Sequence, residues 1–177
     1  MTGYALSASA ISGILQGCKA DKEPDWVPEF FTQDQFNMIG DMADIILPTT
    51  DTPGAKDVLV DRFIDKMVKE CMEKEDQDRF LAGLNEMADA DGTAFGELSD
   101  EQKYELVAKA DADLRERAEN PQPGPPPFFG AFKQMVLLGY FTSEEVGENV
   151  MAYDPMPGAY NGCVPLEEGQ RIWTPAR

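Results

Sequence analysis

The sequence predicts an all-α fold: an irregular bundle of about six helices with an extended N-terminal arm and a Pro/Gly-rich C-terminal arm. Apolar residues recur at helical spacing between residues 32 and 152, and capping boxes mark three of the helix starts. At 177 residues the chain suits one domain, which can bury roughly 70% of the surface its unfolded form exposes. We therefore expect a single helical domain.

Changes in composition set the expected boundaries. Residues 1–18 form an uncharged segment that ends in a cysteine, and residues 19–31 are expected to be an extended linker. Residues 32–152 hold the helices, with a break at 121–127, where closely spaced prolines favour a polyproline-like connection. Residues 153–177 are expected to form an extended tail.

The helices are predicted in order from their caps and apolar stripes. The first begins at the capping box of Thr32 and Gln35 and ends before Pro48. The second and third are expected at about 57–72 and 76–88.

Three more helices follow. The fourth begins at the capping box of Ser99 and Gln102 and ends near residue 120. The fifth is expected at about 128–140, after the prolines, and the sixth begins at a capping box of Thr142 and Glu145.

Composition argues against several functions. The chain has 33 acidic and 15 basic residues, a net charge of −18, which disfavours binding to nucleic acid or to an anionic membrane. Without histidine it cannot supply a Ser-His or Cys-His pair or an imidazole ligand. Three cysteines are too few for a four-thiolate cluster, and no Gly-rich phosphate loop is present. We expect no catalytic residue, cofactor site or metal site in this chain.

The segment DADGTAFGELSD, residues 89–100, superficially resembles a calcium loop. A calcium loop needs glycine at position six and glutamate at position twelve, where this segment has Ala94 and Asp100. A solvated loop between helices is therefore predicted.

The tail displays aromatic and apolar residues without a helical period. Exposed apolar clusters usually mark a surface that something covers. Two alternatives stay open, since the tail could fold back over its own bundle or wrap a partner, and both can hold in part. The candidate interface residues are Tyr140, Phe141, Tyr153, Met156, Pro157, Tyr160, Cys163 and Trp173.

Three strings carry a family resemblance: DMADIILPTTDTPGAKD, FLAGLNEMADADGTAFGELSDEQK and GYFTSEEVGENVMAYDPMPGAYNGCVPL. Together they resemble the small (gamma, third) subunit of gluconate 2-dehydrogenase and of related FAD-dependent sugar and glycoside dehydrogenases such as glucoside 3-dehydrogenase. The resemblance implies a non-catalytic accessory subunit. In that family a large flavoprotein of the glucose–methanol–choline oxidoreductase type holds FAD, and a cytochrome c subunit carries electrons away. The small subunit acts as a chaperone for the large one and takes it through twin-arginine export.

Residues 1–18 resemble an export signal. Their end, Leu15-Gln16-Gly17-Cys18, is similar to the box at which bacterial lipoproteins are cleaved and acylated, so Cys18 is a candidate lipidation site. The alternative for Cys18 is a plain thiol. A signal begins with a positive region, and the first basic residue here is Lys19, so the true start is expected upstream. The expected location is the periplasm, with membrane association if Cys18 is acylated, or the cytoplasm if the signal is incomplete.

The other two cysteines have different expected roles. Cys71 lies on an apolar helix stripe and is expected in the core. Cys163 lies in a Gly-flanked aromatic coil and is the candidate for a disulfide with the large subunit, although the two could also pair with each other.

The leading hypothesis is thus a periplasmic accessory subunit that aids folding, stability and export of a flavoprotein. The first alternative is a stand-alone, lipid-anchored acidic helical protein that binds a cationic or sugar ligand. The second is a carboxylate-based enzyme, which requires two buried acids that face one cleft with separated pKa values.

Overall fold

A computed structural model describes residues 26–89, 92–121, 123–124, 126–153, 158, 163, 165 and 167–173 of the protein. The α-helices in these ranges are α1 (Gln33–Ile46), α2 (Val60–Cys71), α3 (Lys74–Ala88), α4 (Asp100–Glu119) and α5 (Phe128–Phe141). A 3-10 turn, Phe95–Glu97, precedes α4, and a π-helical turn, Val146–Val150, follows α5. The described residues contain no β-strand, only one isolated bridge, and the all-α prediction is confirmed.

The capping boxes predicted for the first and fourth helices are present. The Thr32 hydroxyl accepts a hydrogen bond from the Gln35 amide, and the Gln35 side chain accepts one from the Thr32 amide. Ser99 and Gln102 form the same reciprocal pair at the start of α4. Each box satisfies two backbone donors that a helix start leaves without partners.

The third capping box, predicted at Thr142 and Glu145, does not form. Helix α5 continues to Phe141, so that Thr142 becomes its C-cap and donates its hydroxyl to the Leu138 carbonyl. The neighbouring Ser143 hydroxyl accepts a hydrogen bond from the Val146 amide instead, and the chain enters the π-helical turn.

Helices α1 and α5 lie at the centre of the bundle. Each contacts the other and also α2 and α4, while α3 packs on α5. Helix α5 carries a single charged residue, Lys133, so it can be covered on several sides without burying many charges. The largest fully buried side chains come mainly from α1, α2, α3 and α5 and include Ile39, Met42, Ile64, Leu84, Phe132 and Val136. Burying each of these side chains stabilises the folded state by about 1.5–3 kcal/mol relative to leaving it exposed to water.

Two glycines set how closely the helices approach. A Cβ at Gly83 of α3 would overlap the Phe128 side chain, and a Cβ at Gly139 of α5 would overlap the Phe63 ring. Phe128 and Phe63 therefore rest directly on the backbones of α3 and α5.

Helix α2 carries an unusual buried charge, Asp65. Its carboxylate is fully buried and accepts four hydrogen bonds from one short segment. Trp26 Nε1 and the Glu29 amide donate to Oδ2 at 3.2 and 2.8 Å, and the Phe30 and Phe31 amides donate to Oδ1 at 3.0 and 3.3 Å. A carboxylate is tolerated in an interior only when its acceptor sites are satisfied in this way. Residues 26–31, called the strap below, are thereby held on α2.

Charges on the surface of α2 add to this attachment. Glu29 of the strap bonds Lys66 Nζ at 2.8 Å and Lys69 Nζ at 2.6 Å. The hydrogen bonds from Lys66 and then Lys69 lower the pKa of Glu29 to about 2, so the carboxylate stays ionised. The Trp26 ring lies 5.5 Å from both the Arg62 guanidinium and the Lys66 ammonium.

The strap is the described part of the segment expected to be an extended linker. It has no helix or strand, yet its last residue, Phe31, is buried and its ring lies 5.9 Å from that of Phe80. The Phe80 ring in turn meets the Phe128 ring edge-on at 4.8 Å. The strap thus covers one edge of the aromatic core between α3 and α5.

The expectation of a solvated loop at 89–100 is wrong for its second half. Phe95 is buried, and Lys103 Nζ lies 5.2 Å above its ring. Lys103 also bonds Asp41 of α1 at 2.7 Å, and Lys56 bonds the other oxygen of Asp41 at 2.6 Å. Because Phe95 is inserted between helices, the 3-10 turn packs against α1.

Replacing Asp65 by asparagine should lower the free energy of unfolding by about 3 kcal/mol, because an amide presents one acceptor oxygen and points its NH₂ at backbone donors. Urea denaturation measures the change. The matched control is Glu70→Gln, an exposed carboxylate on the same helix, which should stay within about 0.5 kcal/mol of the parent. Equal losses in the two variants would show that the buried carboxylate does not hold the strap.

Candidate partner-binding surface

The tail returns to the π-helical turn that follows α5 and to the residue Ala152 just after it. The Ala152 amide donates to the Ile172 carbonyl at 2.8 Å, Ala152 and Trp173 form a parallel bridge, and the Arg171 guanidinium donates to the Asn149 carbonyl at 3.2 Å. The alternative in which the tail folds back therefore holds for residues 171–173. We call residues 57–59, 143–153 and 171–173 the tail-root surface.

The loop before α2 is fixed by Asp57. Its Oδ2 accepts the Thr49 hydroxyl at 2.6 Å and the Gly54 amide at 2.8 Å. These two hydrogen bonds hold the pKa of Asp57 below its ordinary value. Gly54 leaves no room for a Cβ beside the Thr49 backbone, so the loop closes tightly only with glycine there. The Ala55 amide then bonds back to the Leu47 carbonyl at 2.8 Å.

Leu59 ends this loop in a left-handed conformation, φ 59° and ψ 39°. The Val60 amide bonds the Ala55 carbonyl and the Leu59 amide bonds the Lys56 carbonyl, both at 3.1 Å, which is the hydrogen-bond pattern of a Schellman turn. Glycine is the usual residue at this position, because a side chain there costs about 1–2 kcal/mol. Leu59 is the one non-glycine residue with positive φ in the described ranges, and it is 40% exposed.

A groove of about 350 Å³ separates this turn from the chain that follows α5. Its lining consists of Asp57, Val58, Leu59, Ser143, Glu144, Glu145, Glu148 and Asn149. Four of these residues are acidic and none is basic. The groove therefore combines an exposed apolar side chain, Leu59, with negative charge, and Arg171 lies at its edge, where it donates to the Asn149 carbonyl.

The family model for gluconate 2-dehydrogenase subunit 3 matches residues 33–158. The chain belongs to the gluconate 2-dehydrogenase subunit 3 family. The match begins at the first residue of α1 and runs through all five α-helices and the π-helical turn into the tail. No curated protein and no solved structure matches the chain. Members of this family are accessory subunits of a dehydrogenase complex, so association with a larger dehydrogenase complex follows for this chain.

The predicted interface residues fall into different environments in this subunit. Tyr153 and Trp173 are 49% and 40% exposed on the tail-root surface, and Cys163 is an exposed free thiol. Phe141 is half-buried and packs edge-on against Tyr140 with ring centroids 5.3 Å apart. Met156, Pro157, Tyr160 and the candidate lipidation site Cys18 lie outside the described residues.

Tyr140 is a core residue rather than an interface residue. It is 6% exposed, and its hydroxyl donates to the Pro53 carbonyl at 2.8 Å. Because α5 is central, the residue just before its end still faces inward. Tyr140 is not on the tail-root surface, but its hydrogen bond to Pro53 connects α5 to the loop that carries Leu59.

The expectation that Cys71 lies in the core is wrong. Cys71 is exposed, because α2 ends at this residue and the following Met72 packs against the core instead. Both described cysteines are free thiols in the isolated subunit.

The buried acids of the described residues bear on the carboxylate-enzyme alternative. Asp65 is the single buried acid among them, and it faces the donors of the strap, so they do not contain the pair of buried acids that a carboxylate enzyme requires. Within the same ranges no group of three His, Cys, Asp or Glu side chains is arranged to hold a metal. None of the described helices combines the length and apolar character needed to cross a bilayer.

Removing the Tyr140 hydroxyl by Tyr140→Phe should cost about 1 kcal/mol of unfolding free energy, because the Pro53 carbonyl loses its donor while the ring stays in place. Thermal or urea unfolding measures this. Tyr104→Phe, at a tyrosine that is 62% exposed on α4, is the control and should change stability by less than about 0.5 kcal/mol. A Tyr140→Phe variant as stable as this control would contradict the core assignment.

Proposed function

We propose that this chain is the non-catalytic small subunit of a periplasmic FAD-dependent sugar or glycoside dehydrogenase and that it aids folding, stability and export of the catalytic flavoprotein. The family match over residues 33–158 is the observation that carries the proposal. In this arrangement the large subunit, of the glucose–methanol–choline oxidoreductase type, holds FAD, and a cytochrome c subunit accepts the electrons.

The exposed side chains of the tail-root surface support a binding role. Tyr153 and Trp173 present large rings to solvent next to Ile172, which is 72% exposed. Aromatic side chains of this kind dominate binding energy at protein interfaces, because they bury much area at a small cost in conformational entropy. Covering them with a partner would remove apolar area from water that the isolated subunit leaves exposed.

Export is assigned to the first 18 residues, which would act as the signal for the folded complex, with Cys18 as the acylated residue of a lipid anchor. The described bundle is suited to such a role. The strap is attached to α2 by four hydrogen bonds, so Trp26, the first described residue, is held at a defined position on the folded domain.

The test is to purify the flavoprotein partner after expression with and without this chain. With the chain, we expect soluble flavoprotein that contains stoichiometric FAD and oxidises its sugar. Without it, we expect aggregated or FAD-poor protein, measured by flavin absorbance and dye reduction. A flavoprotein that folds, binds FAD and turns over equally well alone would refute the accessory role. A folded monomer of this chain that never associates with a flavoprotein would instead favour the stand-alone binding protein.

Cys163 is proposed to form the disulfide with the large subunit, because its exposed thiol lies in the arm that would clasp the partner. On non-reducing electrophoresis, the wild-type complex and a Cys71→Ser variant should both give a band at the summed mass of the two subunits. Cys163→Ser should abolish that band. Its persistence in Cys163→Ser, or its absence from the wild-type complex, would contradict the assignment.

A further inference from the structure

We propose that Leu59, with the acidic groove beside it, is a docking point for a basic segment of the dehydrogenase subunit. This inference rests on the accessory function proposed above and specifies the chemistry of one contact. The occupant is a segment of the partner that carries an apolar side chain next to Lys or Arg.

The conformation of Leu59 indicates that the turn does not need the leucine side chain in order to form. The two hydrogen bonds that close the turn are made by backbone amides and would form equally with glycine. The two positions that commonly make a hydrophobic contact in a Schellman turn are Ala55 and Val60 here, and both are fully buried. The fold therefore tolerates a strained leucine whose side chain stands 40% exposed at the edge of a groove.

The charges around Leu59 determine which occupant fits. The groove is lined by Asp57, Glu144, Glu145 and Glu148 and by no basic residue. Asp57 is already engaged by Thr49 and Gly54, whereas the three glutamates are exposed. A neutral or acidic segment laid over them would desolvate carboxylates without providing partners, which is costly. A segment with Lys or Arg would pair with them as it covered Leu59 and Val58.

The position of the groove connects it to the tail. Asn149 lines the groove, and its carbonyl accepts the hydrogen bond from Arg171 of the returning tail. A partner that contacts the exposed rings of Tyr153 and Trp173 can reach Leu59 across the same surface. A larger groove between α1, α4 and α5, about 690 Å³, has both acidic and basic residues in its lining and so favours no single charge in an occupant.

The experiment compares binding of the purified flavoprotein to this chain and to three variants, by titration at low and high salt. Leu59→Gly should weaken binding about tenfold while its thermal midpoint stays within about 4 °C of the parent, because relief of strain offsets the partial burial that is lost. Glu148→Lys should weaken binding most at low salt, where the attraction it reverses is least screened. Tyr104→Ala, which removes an exposed apolar side chain from α4, is the control and should bind like the parent.

The outcomes separate the two proposals. If the parent chain binds and Leu59→Gly binds equally well, the docking point is refuted and the accessory function stands. If Leu59→Gly weakens binding but Glu148→Lys does not, the basic character assigned to the occupant is wrong. If the parent chain does not bind the flavoprotein at all, the accessory function fails, and the docking point fails with it.

Discussion

The buried carboxylate of Asp65 is the interaction on which the rest of the structure depends. One side chain satisfies four donors of the strap, and the strap in turn places Phe31 against Phe80 at the edge of the core. A buried charge is stabilised only by its hydrogen-bond partners. Because the strap supplies the partners of Asp65, the strap and α2 hold each other in position. At its other end α2 begins directly after Leu59, so the same helix carries the strained turn of the tail-root surface.

The distribution of ion pairs explains where negative charge is left at the surface. Lys56 and Lys103 converge on Asp41, and Lys133 and Arg115 converge on Asp111. Lys103 thereby joins α4 to α1, and Lys133 joins α5 to α4. The hydrogen bond from Lys133, and then that from Arg115, holds the pKa of Asp111 below its ordinary value. The glutamates after α5 lie in a groove whose lining has no such basic residue. In a chain of net charge −18, this end of the bundle is therefore suited to a partner that brings positive charge.

Local signals predicted much of the fold because they act within a few residues. The capping boxes at Thr32 and Ser99 and the apolar stripes located the helices, while Thr142 failed as an N-cap because it serves as the C-cap of α5 and its hydroxyl bonds the Leu138 carbonyl. Long-range partners were not predictable in this way. An aspartate within a charged helix looks like a surface residue, and the one available signal was that Asp65 lies between the buried positions Ile64 and Val68.

The candidate surface was predicted less completely than the fold. The tail residues Tyr153 and Trp173 were identified from their composition, but Tyr140 was misplaced because only the packing shows that α5 is central. The sequence did not identify Leu59, because no sequence pattern reports a positive φ. The Pro53-Gly54 pair ahead of it does not indicate that a leucine occupies a position where glycine is usual.

Hydrogen–deuterium exchange of this chain, alone and in complex with the dehydrogenase subunit that it is proposed to bind, tests the central claim most directly. If the subunit binds its partner through the tail-root surface, the backbone amides at 57–59, 143–153 and 171–173 should exchange more slowly in the complex than in the isolated subunit. Amides around Tyr104 on α4 should exchange at the same rate in both states. Slower exchange along α4 with no change on the tail-root surface would contradict the account.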